Sequence, residues 1–147
     1  MLRSIAAAAS AVLLAGCASQ PAAPIARAQH RAPSHAVAEP GEAVWHLRAG
    51  LNVAALSCRG RGRAGVSGGY AKLLSRHRAL LAAAYAGEQR RYGKGLDRHL
   101  TQIYNRFAYQ PEPGKFCSDA AVVAADAVRM DSATLSGQAR RLLGRLG

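Results

Sequence analysis

The sequence predicts an all-α domain, a small antiparallel bundle of four helices plus a short C-terminal helix, with one disulfide. Beyond residue 42, apolar residues recur at spacings of three and four, which is the period of an α-helix. Half of the 147 residues are hydrophobic and only 5% are aromatic, so small side chains must form the core. The sequence shows no alternation of apolar and polar residues of the kind that indicates a half-buried strand.

Residues 1–16 have the properties of an export signal. Arg3 supplies a positive charge, the stretch 5–14 is apolar, and Ala15 and Gly16 are the small residues that a signal peptidase requires. Ten apolar residues span only about 15 Å as a helix, half of the hydrocarbon core of a bilayer. The segment therefore predicts a cleaved signal peptide rather than a permanent membrane anchor.

The segment Leu14-Ala15-Gly16-Cys17 resembles the lipobox of bacterial lipoproteins. In that family the signal peptidase recognises the positions of Leu14, Ala15 and Gly16, and cleaves before a cysteine whose sulfur carries a diacylglyceryl group. The resemblance implies that Cys17 is lipidated and becomes the first residue of the mature chain. Two or more acyl chains anchor a protein stably in a lipid bilayer. The alternative is ordinary secretion with a coincidental cysteine.

Residues 17–41 predict a lipidated, disordered tether. The segment consists mainly of Ala, Pro, Gln, Ser, His and Arg without an apolar period, so it cannot bury a core. His30 and His35 have no cysteine or carboxylate cluster near them, and we interpret them as solvated linker histidines rather than metal ligands. Ala18 stands where aspartate favours inner-membrane retention in enterobacterial lipoproteins, so the resemblance implies the outer membrane, facing the periplasm.

Five apolar stripes define the predicted helical domain, residues 42–147. In chain order they are Val44, Leu47, Leu51, Ala54 and Cys58; Tyr70, Leu73, Leu74, His77, Leu81 and Ala84; Leu96, Leu100, Ile103 and Phe107; Phe116, Ala120, Val123, Ala127 and Met130; and Leu135, Ala139, Leu142 and Leu146. Each stripe predicts one helix with one face in the core.

Residues that favour turns separate the stripes. Glycine-rich residues 59–69 follow the first stripe, Gly93-Lys94-Gly95 follows the second, and Pro111-Glu112-Pro113-Gly114 follows the third. Asp131-Ser132 precedes the last stripe, and Ser132 is expected to cap that helix.

Cys58 and Cys117 predict a structural disulfide. An exported domain enters an oxidising compartment, and two cysteines remain once Cys17 carries lipid. A bridge across about 60 residues stabilises the fold by about 4 kcal/mol in the loop-entropy description. A redox pair and a zinc site are the alternatives, but the sequence has neither a Cys-x-x-Cys motif nor further ligands at short spacing.

The chain is strongly basic, with 20 Lys and Arg against 8 Asp and Glu. Arg59, Arg61 and Arg63 alternate with glycine and form a candidate anion-binding loop, for which a solvated connector is the alternative. Export excludes nucleic acid as the partner, so the candidates are lipopolysaccharide, peptidoglycan, phospholipid headgroups or an envelope protein. The excess of positively charged residues continues further along the chain with Arg76, Arg78, Arg90, Arg91 and Lys94.

No catalytic, cofactor or metal motif is present in the sequence. His77 lies on an apolar stripe and is expected to be a core histidine bonded to a tyrosine hydroxyl or a carbonyl. Asp97 and His99 are two residues apart and so lie on different faces of a helix. Asn52 lies beside the first stripe and, if buried, needs a partner such as Tyr104 or Asn105.

The mature chain also resembles small exported proteins of alphaproteobacteria. The resemblance rests on the run from Leu47 to Cys58, on Tyr70, on Tyr104-Asn105-Arg106-Phe107 and on Phe116-Cys117. It implies a helical, cysteine-paired domain and does not imply any activity.

The leading hypothesis is a non-catalytic envelope lipoprotein that binds an anionic envelope component or a partner protein through a basic helical surface. The alternative is an accessory or degenerate enzyme of cell-wall metabolism, with a pocket gathering Asp97, His99 or Glu88 near His77.

Overall fold

The structure, a computed structural model, describes residues 40–58 and 61–147, with the backbone alone at 61–64. Six α-helices and one 3₁₀ turn contain most of these residues, among which there is no strand. They are α1 (Pro40–Ser57), α2 (Arg61–Arg76), α3 (Arg78–Tyr92), the 3₁₀ turn (Gly93–Gly95), α4 (Leu96–Ala108), α5 (Pro113–Arg129) and α6 (Ser132–Gly144). The predicted all-α class is confirmed.

Several predicted features lie outside the described residues. They are the signal peptide, the lipobox with Cys17, the tether up to residue 39, Arg59, and the side chains of Arg61 and Arg63. They stay predictions.

Helix α1 is the centre of the fold and packs against all five other helices. Its buried residues lie all round the helix rather than on one stripe, as expected for a helix surrounded by others. They are Ala43, Val44, Leu47, Ala49, Gly50, Leu51 and Ala54. A β-carbon at Gly50 would lie 3.0 Å from Leu146 Cδ1 and 3.1 Å from the ring of Phe107. Glycine at this position therefore lets α4 and the C-terminal end of the chain approach α1 closely.

Helices α2 and α5 form the most extensive helix pair. A β-carbon at Gly69 would lie 2.8 Å from Ala124 Cβ, so the two helices meet through their smallest side chains. Cys58, directly after α1, is bonded to Cys117 of α5, with their Cα atoms 5.6 Å apart. The predicted disulfide is confirmed, and it links the central helix to α5.

The boundaries of the second predicted helix are wrong in two places. Residues 59–69 were expected to form a loop, but α2 begins at Arg61. Burial of Val66 and close packing at Gly69 offset the low helix propensity of glycine there. The chain also bends at His77, which separates α2 from α3. Backbone hydrogen bonds continue from His77 to Leu73 and from Leu81 to His77, so the apolar stripe runs through a kink rather than a loop.

The His77 ring is bonded at both of its nitrogens at this kink. Its Nε2 lies 3.1 Å from the carbonyl oxygen of Ala127, and its Nδ1 lies 3.0 Å from the hydroxyl oxygen of Ser132. Nε2 therefore carries the proton and donates it, while Nδ1 accepts from the hydroxyl, an assignment made from the network. The prediction of a core histidine bonded to a carbonyl is confirmed, although the hydroxyl comes from serine rather than tyrosine.

The predicted cap of α6 is off by one residue. Asp131, not Ser132, is the N-cap, and its carboxylate accepts a hydrogen bond of 2.7 Å from the backbone N–H of Thr134. Ser132 bonds to His77 instead. An aspartate or serine serves equally well as an N-cap in isolation, so the tertiary contact with His77 decides between them.

No helix in the described part of the chain combines the length and the apolar character needed to cross a membrane.

Candidate functional site

A cavity of about 270 Å³ lies at the surface where α1, α2 and α3 meet. Its walls combine aromatic and aliphatic side chains with two arginines. The lining residues are Trp45, Arg48, Leu74, Arg78, Leu81, Ala82 and Tyr85. The cavity is open to solvent and slightly smaller than typical small-molecule sites of about 300–1,000 Å³, but it shares their combination of apolar walls and a few polar groups.

Arg48 is held in place by three aromatic side chains. Its guanidinium carbon lies 4.9 Å from the centre of the Trp45 ring and 5.9 Å from that of Tyr70. Its Nη1 donates a hydrogen bond of 2.5 Å to the hydroxyl of Tyr104. The two ring contacts fall within the range of cation–π attraction. Arg48 is therefore a preorganised positive charge in the cavity wall, with no carboxylate paired to it among the described residues.

The wall of the cavity opposite Arg48 is open to solvent. Arg78, at the first position of α3, is exposed, and Leu74 is 37% exposed although it belongs to a predicted core stripe. Trp45 and Tyr85 contact each other with ring centres 4.8 Å apart. The indole Nε1 of Trp45 is buried and has no acceptor among the described residues. The cavity thus offers apolar contact area next to the exposed side chain of Arg78.

A second polar feature lies between α1, α3 and α4. Glu42 and His46, one turn apart on α1, face Glu88 of α3 and His99 of α4. One potential ligand atom from each of the four side chains lies within 4.8 Å of the others. We call these four residues the Glu–His cluster.

Glu88 is the innermost residue of the Glu–His cluster. It is 2% exposed, and its Oε2 lies 2.8 Å from His99 Nε2 and 3.8 Å from His46 Nε2. The two Nε2 atoms are themselves 3.3 Å apart. Glu42 Oε1 lies 4.0 Å from His46 Nε2. Both imidazoles therefore direct the same nitrogen toward one buried carboxylate.

Arg91 and Tyr92 surround the Glu–His cluster from α3. The Tyr92 hydroxyl donates a hydrogen bond of 2.7 Å to Glu42 Oε1, and Arg91 pairs with Glu42 Oε2. The Tyr92 ring also stacks on His99, with the ring centres 3.5 Å apart. These contacts fix the orientation of one carboxylate and one imidazole.

Burial shifts the titration of several groups near both sites. Desolvation lowers the pKa of His99, and the nearby carboxylate of Glu88 opposes this effect. Desolvation and the hydrogen bond to Glu42 raise the pKa of Tyr92 above the usual range. Burial raises the pKa of Tyr70, with Arg48 opposing. Both tyrosines are therefore neutral phenols at physiological pH.

The structure brings together only some of the residues singled out from the sequence. Glu88 and His99 meet, but the cell-wall-enzyme alternative required them near His77. His77, however, bonds to Ser132 and Ala127 instead, and Asp97 is exposed. The predicted pocket around His77 does not form among the described residues.

Sequence reasoning missed the contribution of Glu42 and His46. Their spacing of four places both side chains on one face of a helix, and this was an available signal for paired polar groups. It could not have identified Glu88 and His99 as their partners, because those lie on other helices. Asn52 was expected to need a partner such as Tyr104 or Asn105 only if buried, and it is half-buried. It lies beside the Tyr70 hydroxyl, and Arg48 binds Tyr104.

No protein-family model, curated protein or solved structure matches this chain.

Proposed function

We propose that the protein is a lipid-anchored, non-catalytic protein of the cell envelope whose helical domain binds an anionic amphiphile. The ligand class is a phosphate or carboxylate attached to an apolar chain, as in envelope phospholipids and lipopolysaccharide. The observation that carries the proposal is the cavity in which Arg48 and Arg78 stand beside Trp45, Tyr85 and Leu74.

The charge distribution supports an anion as the ligand. Aromatic rings hold Arg48 without a carboxylate partner among the described residues, and Arg78 is exposed at the rim. Three arginines of the described part are paired with carboxylates: Arg91 with Glu42, and Arg129 and Arg145 with Asp126. Exposed arginines such as Arg140 also lack a carboxylate partner in this part of the chain, so what distinguishes Arg48 and Arg78 is their place beside apolar and aromatic side chains in one cavity. An anion bound in the cavity would form charge-assisted hydrogen bonds with the two arginines that line it.

The sequence supports the envelope as the location. The lipobox Leu14-Ala15-Gly16-Cys17 predicts acylation at Cys17, and the tether of about two dozen residues leaves the helical domain close to the bilayer surface. A tethered domain meets ligands of that surface at a high effective concentration. Modest intrinsic affinity in the cavity is then sufficient for binding.

The anchor is tested by metabolic labelling. Wild-type protein should incorporate labelled palmitate, start at Cys17 and fractionate with membranes, and Cys17→Ser should abolish both labelling and cleavage. Absence of label in the wild-type protein would contradict the anchor and leave ordinary secretion.

Trp45 makes the cavity directly observable because it is the only tryptophan of the chain. A soluble form comprising residues 18–147 should change its tryptophan emission when titrated with octyl phosphate. Octyl glucoside tests the apolar chain without the charge, and inorganic phosphate tests the charge without the chain. We expect octyl phosphate to bind more tightly than either, with an affinity that falls as salt rises.

Matched arginine variants locate the binding site. Arg78→Gln should weaken octyl phosphate binding about fivefold, since one arginine near an anionic surface contributes about 1 kcal/mol. Arg140→Gln removes an exposed arginine of α6 outside the cavity and should leave binding unchanged. If the triple replacement of Arg59, Arg61 and Arg63 by serine weakens binding and Arg78→Gln does not, the anion binds at residues 59–63. Equal affinity for octyl phosphate and octyl glucoside would refute an anion site.

A further inference from the structure

The Glu–His cluster plays no part in the proposed anion binding. We infer that Glu42, His46, Glu88 and His99 bind one divalent transition-metal ion, with Zn²⁺ as the best match, in a closed four-ligand site that joins α1, α3 and α4. This inference rests on the Glu–His cluster alone and is independent of the proposed function.

The donor set selects the class of metal. Two imidazole nitrogens and two carboxylate oxygens are ligands of Zn²⁺ and its first-row neighbours. Ca²⁺ and Mg²⁺ prefer oxygen ligands throughout and are disfavoured by His46 and His99. Facing helices of a bundle commonly supply such ligand sets from their inward side chains.

The distances fit a small tetrahedral ion. In a tetrahedral zinc site with bonds of about 2.0–2.1 Å, ligand atoms lie about 3.3–3.4 Å from one another. The two Nε2 atoms are 3.3 Å apart, and Glu88 Oε2 lies 2.8 Å from one and 3.8 Å from the other. Glu42 Oε1 is the outermost donor, at 4.0 Å from His46 Nε2. Small rotations of the side chains would place all four atoms around one centre.

The hydrogen bonding of the Glu–His cluster is incomplete among the described residues. Glu88 Oε2 is buried and receives no well-directed hydrogen bond, despite its closeness to His99 Nε2. The Nε2 atoms of His46 and His99 face each other, and only one proton can lie between them. Buried polar atoms are nearly always satisfied, and one cation would satisfy the carboxylate and both nitrogens together.

The balance of charge supports the same conclusion. Glu42 and Glu88 bring two carboxylates into a largely buried space, and Arg91 pairs only with Glu42, from the exposed side. A divalent cation with two neutral imidazoles would neutralise both carboxylates, which otherwise bear a high desolvation cost.

The residues around the Glu–His cluster act as outer-shell supports. Tyr92 holds Glu42 by a hydrogen bond and stacks on His99, so it positions two ligands without binding the metal itself. Such contacts orient ligands and tune metal affinity. Four protein ligands leave no open position for a substrate, which is the arrangement of structural rather than catalytic zinc sites.

The test uses the full-length protein purified in a non-ionic detergent and stripped of metal by a chelator. Calorimetric titration should show one Zn²⁺ per chain, and Co²⁺ should give the intense visible absorption of a tetrahedral complex. Glu88→Gln and His99→Ala should each lower Zn²⁺ affinity at least about a hundredfold, the upper end of the effect of losing an outer-shell contact. Asp97→Asn, on the same helix as His99, and the double variant His30→Ala, His35→Ala in the tether should bind Zn²⁺ as the wild type does.

Tyr92→Phe keeps the stacked ring and removes only the hydrogen bond to Glu42. It should lower Zn²⁺ affinity about tenfold, and it decides the question if Glu88→Gln or His99→Ala fails to fold. No stoichiometric Zn²⁺ binding by the wild type would overturn the inference. The inference would also be overturned if Glu88→Gln and His99→Ala bound Zn²⁺ as tightly as the wild type does. It would likewise be overturned if the double variant His30→Ala, His35→Ala lost Zn²⁺ binding. Arg78→Gln should leave Zn²⁺ binding unchanged, which separates this test from that of the anion cavity.

Discussion

The two ends of helix α1 are held in chemically opposite ways. At the C-terminal end, Cys58 is bonded covalently to Cys117 of α5. Two turns further along α5, that helix packs on α2 through Ala124 and Gly69, with no room for a larger side chain at the glycine. Covalent linkage and close apolar packing hold this end.

At the N-terminal end of α1, the contacts with α3 and α4 are made by charged and polar groups. Glu42 and His46 face Glu88 and His99, and Tyr92 closes the Glu–His cluster. Replacing such buried ionic groups by apolar residues of similar volume is often neutral or stabilising. Their presence is therefore weak evidence for a stabilising role, and the cation site proposed above gives them a function instead.

The largest expected effect is loss of the disulfide. The double variant Cys58→Ala, Cys117→Ala should lower the free energy of unfolding by about 4 kcal/mol, because the bond closes a loop of 59 residues. Guanidinium denaturation measures the change, and a reductant should destabilise the wild type but not the variant. Zn²⁺ affinity should stay within a few-fold, since the metal would bind at the other end of α1. Two free thiols in periplasm-derived protein would contradict the bond, and a collapse of Zn²⁺ affinity would show that the two ends are coupled.

The second largest expected effect is that of adding a side-chain atom where α2 and α5 pack most closely. Gly69→Ala places a methyl group 2.8 Å from Ala124 Cβ, so α2 and α5 must move apart. We expect a loss of about 1–3 kcal/mol in thermal or chemical denaturation. Gly68→Ala is the matched control, because a β-carbon there meets nothing within 4 Å. It should stabilise the protein by about 0.5–1 kcal/mol through helix propensity. Equal effects of the two substitutions would refute the close approach of the helices.

The smallest expected effect is that of removing the Asp131 N-cap of α6, which lies at neither end of α1. Hydrogen bonds from the first turn of α6, chiefly from Thr134, lower the pKa of Asp131. A lowered folded-state pKa means that the carboxylate stabilises the fold above its unfolded pKa of about 4 and that this stabilisation is lost as pH falls through the folded value. Asp131→Ala should therefore lower the melting temperature slightly at pH 7 and less at pH 3.

Glu112 provides the control for Asp131. It occupies the N-cap position of α5 without a side-chain hydrogen bond to that helix. Glu112→Ala should therefore change the melting temperature less than Asp131→Ala does at pH 7. A difference between wild type and Asp131→Ala that grows on acidification would contradict the assigned cap.

The sequence by itself determined the features that depend on neighbouring residues and on cysteine chemistry. The apolar stripes predicted the all-α class and most of the core, with Leu74 as an exposed exception at the cavity. They missed five buried hydrophobic residues of the described part, namely Ala43, Ala49, Val66, Ala124 and Leu143. The even number of remaining cysteines predicted the bond between Cys58 and Cys117. The apolar neighbours of His77 predicted its burial. These predictions succeeded because one helical turn is enough to define the face on which a residue lies.

The tertiary structure decided what depends on residues distant in the chain. At the kink, His77 bonds to Ala127 of α5 and Ser132 of α6, and Gly69 lies in a helix at the point where α5 approaches it closely. Glu42 and His46 could be placed on one face from their spacing, but only the packing of α3 and α4 against α1 brings Glu88 and His99 to them. Periodicity specifies which side of a helix is buried and not which helix covers it, so sites assembled from several helices emerge only when the helices pack.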